Sequence, residues 1–286
     1  MTAQQFVEEV MGSPLATDDF RKKYAEFQEY QRMALQTLNA FCRVCDQNGI
    51  PYQLAWGSLL GAIRDNGQIP WDYDVDVFVP YKEKDRLVEA LRRDLDRDYY
   101  FYCPETNRNC RHFFMRLAPN GYHSDVLHVD VFYLVGAPED PEDRTAFAKQ
   151  VAQASRRRYE KLVNPFRACM GRFKLFVRLC LMRLKMLSVP LRDIEQEYHA
   201  LCTQYDFDKA TCYVSADTFA ADVALPAEWV KETVQYPTKE GVFRIPVGYQ
   251  EVLCLLYKDY TRIFPLKDRL QEMSGHYRNL KKFSKK

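Results

Sequence analysis

The sequence predicts an α+β fold in which a mixed sheet is flanked by helices. Three observations predict it. Short β-patterned segments cluster in the first half of the chain, and helical periodicity dominates after about residue 140. Strands and helices do not alternate as a regular βαβ array would.

From Asp18 to Asp46, Phe20, Tyr24, Phe27, Leu35, Leu38, Phe41 and Cys45 recur at helical spacing, interrupted by the polar Gln31. Thr17, Asp18 and Asp19 supply capping oxygens, and Asn48-Gly49 supplies the stop. "IPYQLAWG", ending at Gly57, reads as a short strand, after which Ser58 caps a helix from Leu59 to Asn66 that stops at Gly67. "DVDVFVP", ending at Pro80, is a second strand, and Lys82 to Asp96 is a charged amphipathic helix. Arg111–Leu117 and Leu127–Leu134 are further strands, joined by a hairpin-type loop with Asn120-Gly121 at its centre. Pro138–Asp143 is an acidic turn. The chain is then largely helical to about Phe207, and short strands with a final helix, Tyr249–Tyr260, complete it.

With 286 residues, 47% hydrophobic and 14% aromatic, the chain has ample material for a core, which excludes a disordered protein. A formal net charge of +2 gives no reason to expect nucleic acid as a partner. Nine cysteines are scattered, as in a protein of a reducing compartment. Cys42 and Cys45 alone have metal-like spacing, and no second close pair or nearby histidine completes a zinc site. The stretch Met1–Phe20 lacks the basic and apolar regions of a signal peptide, and no run of about 18 uncharged apolar residues occurs. A cytoplasmic protein is expected.

Trp56–Pro80, "WGSLLGAIRDNGQIPWDYDVDVFVP", carries the chemistry. Alternate side chains on a strand share a face, so Asp74 and Asp76 project together while Val75, Val77 and Val79 enter the core. Paired carboxylates repel unless a cation neutralises them or one takes a proton. Oxygen-only ligation suits Mg²⁺, or Mn²⁺ in its place. Asp130, between Val129 and Val131 in "LHVDVFYL", repeats the pattern on a later strand. Asp74, Asp76 and Asp130 are therefore the candidate metal ligands and catalytic residues, for one metal or two. Gly57 and Ser58 open a helix and offer amides to a phosphate, and Arg64 offers a bidentate clamp. Asp72 is a fourth candidate. His128 shares a strand face with Asp130, as a donor-phosphate contact, a partner to the acid, or a hydrogen-bonded structural histidine.

Together these features point to nucleotidyl or phosphoryl transfer. An EF-hand register on Asp72, Asp74 and Asp76 fails because Val77 replaces the required glycine. A metal-dependent glycosyltransferase using Asp74-Val75-Asp76 is an alternative, and a non-catalytic nucleotide- or membrane-binding scaffold is another.

Arg156–Arg192 holds eleven lysines and arginines against one acid, Glu160. On a helical wheel, Phe173, Phe176, Cys180, Leu184 and Leu187 form one apolar stripe, and Leu175, Leu179, Met182 and Met186 form a second. One core needs one stripe. The other wants a partner, either a second part of the protein or an anionic membrane surface.

Trp56–Pro80, "LHVDVFYL" and "FRIPVGYQEVLCLLYKDY" together resemble the LicD family, whose relatives include fukutin and fukutin-related protein. Lys258 stands where that family has a glycine. The resemblance implies a nucleotidyltransferase-like fold of the polymerase-beta kind. It also implies metal-dependent transfer of a phosphorylated alcohol from a CDP-activated donor to a glycan or lipid-linked glycan, phosphocholine from CDP-choline or a polyol phosphate from a CDP-polyol. Gly57 and Ser58 would meet the donor phosphates and Asp74 and Asp76 would bind metal. Asp130 would complete the site as ligand or base, and Tyr249 with Tyr257–Tyr260 would wall the donor pocket. Trp56, Trp71, Tyr73 and Trp229 are candidates for an aromatic cage around choline. The implied organisation is a catalytic core with its N-terminal helix over 1–150, a basic helical insertion over 151–210, and a segment over 211–286 that completes the catalytic domain. Peripheral contact with the inner face of the membrane would run through 156–192.

Overall fold

The computed structural model describes residues 1–169, 171–217 and 223–283. Two helices lead, α1 (Ala3–Met11) and the long α2 (Phe20–Gln47). The strand expected before Gly57 shrinks to β1 (Gln53–Leu54), because Trp56 takes φ 43° and already begins α3 (Trp56–Leu60). A π-helical turn, Gly61–Asp65, prolongs α3 and ends at left-handed Asn66. β2 (Val75–Pro80) follows, then a 3₁₀ turn and α4 (Lys84–Asp94).

Next come β3 (Tyr99–Tyr102), β4 (Met115–Pro119) and β5 (Val129–Ala137), the last two an antiparallel pair as the Asn-Gly loop predicts. β3 is not evident in the sequence: "YYFY" has no alternation, and all four residues are half-buried. The helical region comprises α5 (Pro141–Leu162), α6 (Pro165–Ala168), α7 (Phe173–Lys185) and α8 (Leu191–Cys202). β6 (Cys212–Ser215), β7 (Ala224–Pro226), α9 (Ala227–Val230), β8 (Thr233–Thr238), β9 (Gly241–Pro246), α10 (Tyr249–Tyr257) and α11 (Leu266–Phe283) complete the order.

The main sheet is mixed and runs β1-β2-β5-β4-β3, with β6 and β7 continuing from the far end of β5. β5 is its hub, parallel to β2 on one side and antiparallel to β4 and β6 on the other. β8 and β9 form a separate hairpin whose tip clasps the loop before β2: Glu240 Oε2 accepts from the Gln68 amide at 2.8 Å. The fold is α+β, with helices flanking the sheet. Among the described residues no helix is long and apolar enough to cross a membrane.

The buried stripe of α2 includes Gln31, the polar interruption of its sequence pattern. Its Nε2 donates to the carbonyls of Ile69 at 2.9 Å and Asp72 at 2.6 Å, and the Tyr24 hydroxyl donates to Pro70 O at 3.0 Å. These bonds satisfy carbonyls of a strand-free loop and fix where it enters β2. α2 thus sets the loop that carries the first acid.

Candidate active site

Parallel pairing sets Asp76 directly beside Asp130, and antiparallel pairing sets Arg116 beside Asp130 on its other side. Residues opposite one another across a ladder share a face, so an acid, an acid and an arginine form one row over three strands. The neighbouring Val75, Val77, Val129 and Val131 are buried, as the alternation requires.

The carboxylates differ in environment. Arg116 Nε donates to Asp130 Oδ1 at 2.9 Å, and His128 Nε2 lies 3.4 Å from the same oxygen. Burial pushes the Asp130 carboxyl up, but His128 and Arg116 outweigh it and hold it at about 2. Arg116 is itself shared, with Nη1 donating to Asp125 Oδ1 at 2.6 Å, where Arg111 Nη2 also donates at 2.8 Å. Asp76 has no such partner. Burial first, then the charges of Asp130, Asp74 and Asp72, raise it well above the carboxylate range.

Asp74 is raised to about 7, by desolvation and then by Asp72 and Asp130, against the pull of His128 and Arg116. Its side chain reaches solvent, which moderates the desolvation and leaves the like charges as the enduring cause. The Asp74 amide donates to Asp72 Oδ1 at 3.0 Å, so the two acids form a tight turn before β2. Asp72 is also raised by burial, opposed by His276 of α11, whose Nε2 lies 3.5 Å from Oδ1. One ligand atom each from Asp72, Asp74 and His276 lies within 4.8 Å of the others. Among the described residues, this is the grouping of histidine, cysteine and acid side chains that meets that spacing.

Gly57, Ser58, Asp72 and Asp74 line a single pocket with Gln68 and Glu240, backed by Leu35 and Leu38 of α2. A Cβ on Gly57 would stand 3.5 Å from Asp72 Oδ2, an ordinary van der Waals contact, which places the acid beside the start of α3. Ser58 does not cap a helix as expected. α3 starts two residues earlier, and Ser58 Oγ instead accepts from the Asp76 amide at 2.9 Å, tying α3 to β2.

The other candidates lie apart from this pocket. Arg64 is turned to its neighbour, donating from Nη2 to Asp65 Oδ2 at 2.7 Å, and stands over the Trp71 ring at 5.5 Å. Tyr249 starts α10 and packs against Tyr236, with ring centroids 6.0 Å apart. Trp71 and Tyr73, 2% and 5% exposed, are core residues and offer no open face to a headgroup. His128 points Nε2 at Asp130, while its buried Nδ1 has no hydrogen-bond partner.

Gln31, Arg116, Asp125 and His276 were not singled out by sequence. The first three look like ordinary polar residues until the register is known. His276 had a readable signal, since Leu266, Leu270, Met273, Tyr277 and Leu280 recur at helical spacing around it.

Residues 49–169, which contain this acid row, match the family model described as the LicD/FKTN/FKRP nucleotidyltransferase domain. The chain is also 22% identical over 269 residues to the lipopolysaccharide cholinephosphotransferase LicD of Haemophilus influenzae, a match covering 86% of this chain and 96% of that one. The match to a LicD-type domain falls on the segment that carries Gly57, Ser58, Asp74, Asp76 and Asp130, and the likeness to a transferase extends over most of the chain. Over residues 49–169 the chain thus resembles the LicD family.

Proposed function

We propose that the protein transfers a phosphorylated alcohol, phosphocholine above all, from a CDP-activated donor to a hydroxyl of a cell-surface glycan precursor. A polyol phosphate from a CDP-polyol is the nearest variant. The observation that carries this reading is the run of acids at the start of β2 beside Asp130, next to a pocket that Gly57 and Ser58 line. The name of the Haemophilus influenzae relative supports choline as the alcohol. A nucleotidyltransferase-like fold is part of the proposal, supported by the family's domain description.

The donor set fits a hard divalent cation, because Asp74 and Asp76 are raised by burial and then by the charges of neighbouring acids, and Asp72 by burial, costs that a bound cation would relieve. Asp74 and Asp76, completed by Asp130, would hold Mg²⁺ or Mn²⁺, which would supply charge neutralisation at the transferring phosphate, although the grouping that stands within 4.8 Å in this structure is Asp72, Asp74 and His276. Asp130, ionised at every working pH, suits ligation better than proton acceptance. The amides at Gly57 and Ser58 would meet the donor phosphates. The acceptor oxygen bonds the phosphorus that bears the alcohol, the bond to CMP breaks, and the hydroxyl proton leaves to a base. Nine free thiols support a reducing, cytoplasmic setting.

The test is CMP release from CDP-choline and from CDP-ribitol, with a glycan extract as acceptor and with Mg²⁺ or EDTA. Metal-dependent release from one donor, lost in Asp74→Asn/Asp76→Asn, is expected. Sugar release from a nucleotide-sugar, or CMP binding without turnover of either donor, would overturn the proposal.

A further inference from the structure

We propose that α6 and α7 dock the protein on an anionic lipid bilayer. The two apolar stripes of α7 have separate fates. Leu179 and Met186 turn inward, 5% and 7% exposed, and Arg183 Nη1 fastens the helix to the end of α5 by donating to Val163 O at 3.1 Å. On the opposite side, Phe173, Leu181, Leu184 and Leu187 are 76%, 55%, 58% and 64% exposed, joined by Phe166 of α6 at 78%. Phe166 and Phe176, with ring centroids 5.0 Å apart, hold the two helices as one surface.

The charges sort in the same way. Arg156, Arg157 and Arg158 are matched by Glu160, Glu197 and Glu195, and Arg158 is wholly buried. They are structural. Arg172, Lys174, Arg178 and Lys185 flank the outer stripe, are exposed, and form no ion pair among the described residues. A protein partner's core would accept the apolar stripe but would have to pair four cations as well. A bilayer with anionic headgroups meets both needs, since acyl boundaries take the rings while long cationic side chains reach the phosphates.

α5, to whose end Arg183 fastens α7, is linked through side-chain contacts to the acid row. Arg111 stands over the ring of Tyr159, near the end of α5, at 6.0 Å, and reaches Asp125, which Arg116 joins to Asp130.

The test is flotation of the full chain with vesicles of phosphatidylcholine alone and of phosphatidylcholine and phosphatidylglycerol at seven to three. Co-flotation with the anionic vesicles is expected, falling roughly tenfold in Lys174→Glu/Arg178→Glu and in Phe173→Ser/Leu184→Ser. These side chains are exposed, so both variants keep the wild-type melting temperature and CMP release in vesicle-free buffer, which separates this proposal from the one above. Equal recovery of wild type in the soluble fraction with both vesicles would overturn it. So would a concentration-dependent dimer, abolished by Phe173→Ser/Leu184→Ser, with no flotation.

Discussion

Arg116 and Asp130 are direct partners across the β4–β5 ladder, joined by a 2.9 Å bond from Nε to Oδ1. This bond divides the acids in two. Asp130 has a countercharge bonded to it by the protein, whereas among the described residues no cationic side chain bonds Asp74 or Asp76. Removing one member of a nearly buried pair strands the other, so Arg116→Gln should destabilise the fold by about 3 kcal/mol at neutral pH. The depressed Asp130 carboxyl contributes stability that is present above its ordinary 3.8 and lost as pH falls toward about 2. The gap between wild type and Arg116→Gln in urea unfolding should accordingly narrow below about pH 4. A gap constant with pH would assign the loss to Asp125 and packing instead.

Asp74 has the opposite sign. Its carboxyl binds a proton more tightly in the folded chain than its ordinary 3.8 allows, so it favours the fold at low pH and opposes it as pH rises through about 7. The melting temperature of metal-free protein should fall between about pH 4 and pH 7 and then level off. MgCl₂ should raise it more at the upper pH, where the carboxylate is free to bind. An equal rise at both would mean that the cation acts elsewhere. His276→Ala separates the ligand sets: a weakened Mg²⁺ response favours Asp72, Asp74 and His276, and an unchanged one favours Asp74, Asp76 and Asp130.

Gln31→Leu should cost about 2 kcal/mol, because the Ile69 and Asp72 carbonyls lose their donor inside the protein. Guanidinium unfolding measures it. The loop that carries Asp72 should loosen as well, lowering affinity for Mg²⁺ with Asp72 itself intact. Wild-type affinity in this variant would show that the loop holds its place without α2.

Lys258 caps α10 with φ 59° and ψ −102°, a conformation that glycine adopts without strain. It occupies the position where the resembling signature carries glycine, and the backbone keeps the glycine geometry. Lys258→Gly should therefore stabilise the protein by about 1 kcal/mol, after allowing for the looser unfolded chain. Lys258→Ala, which keeps the Cβ, should change little in the same thermal melt.

The acids at the start of β2 were legible because a strand's two-residue period states the faces outright, and Val75, Val77 and Val79 name the buried one. α2 was legible for the same kind of reason, to within a residue or two at each end. The strand before Gly57 and the capping role of Ser58 were not, since a positive φ at Trp56 is a tertiary outcome that propensity does not foresee. Gln31 looked like an error in a pattern and is a clamp. Arg116 and His276 reach the site through register and helix docking, and neither is written in local sequence.

β2 and β5 are the parallel pair of an otherwise antiparallel sheet, and a long crossover separates them. During synthesis β2 has β1, α2 and α3 before it but must wait for α4, β3 and β4 before its parallel neighbour exists. Distant pairings of this kind close late. Repulsion of Asp130 against Asp74 and Asp76 arises only at that closure, and until then the nascent strand carries carboxylates that discourage self-association of its apolar face. The residues proposed for chemistry in the finished protein thus also guard the unfinished one.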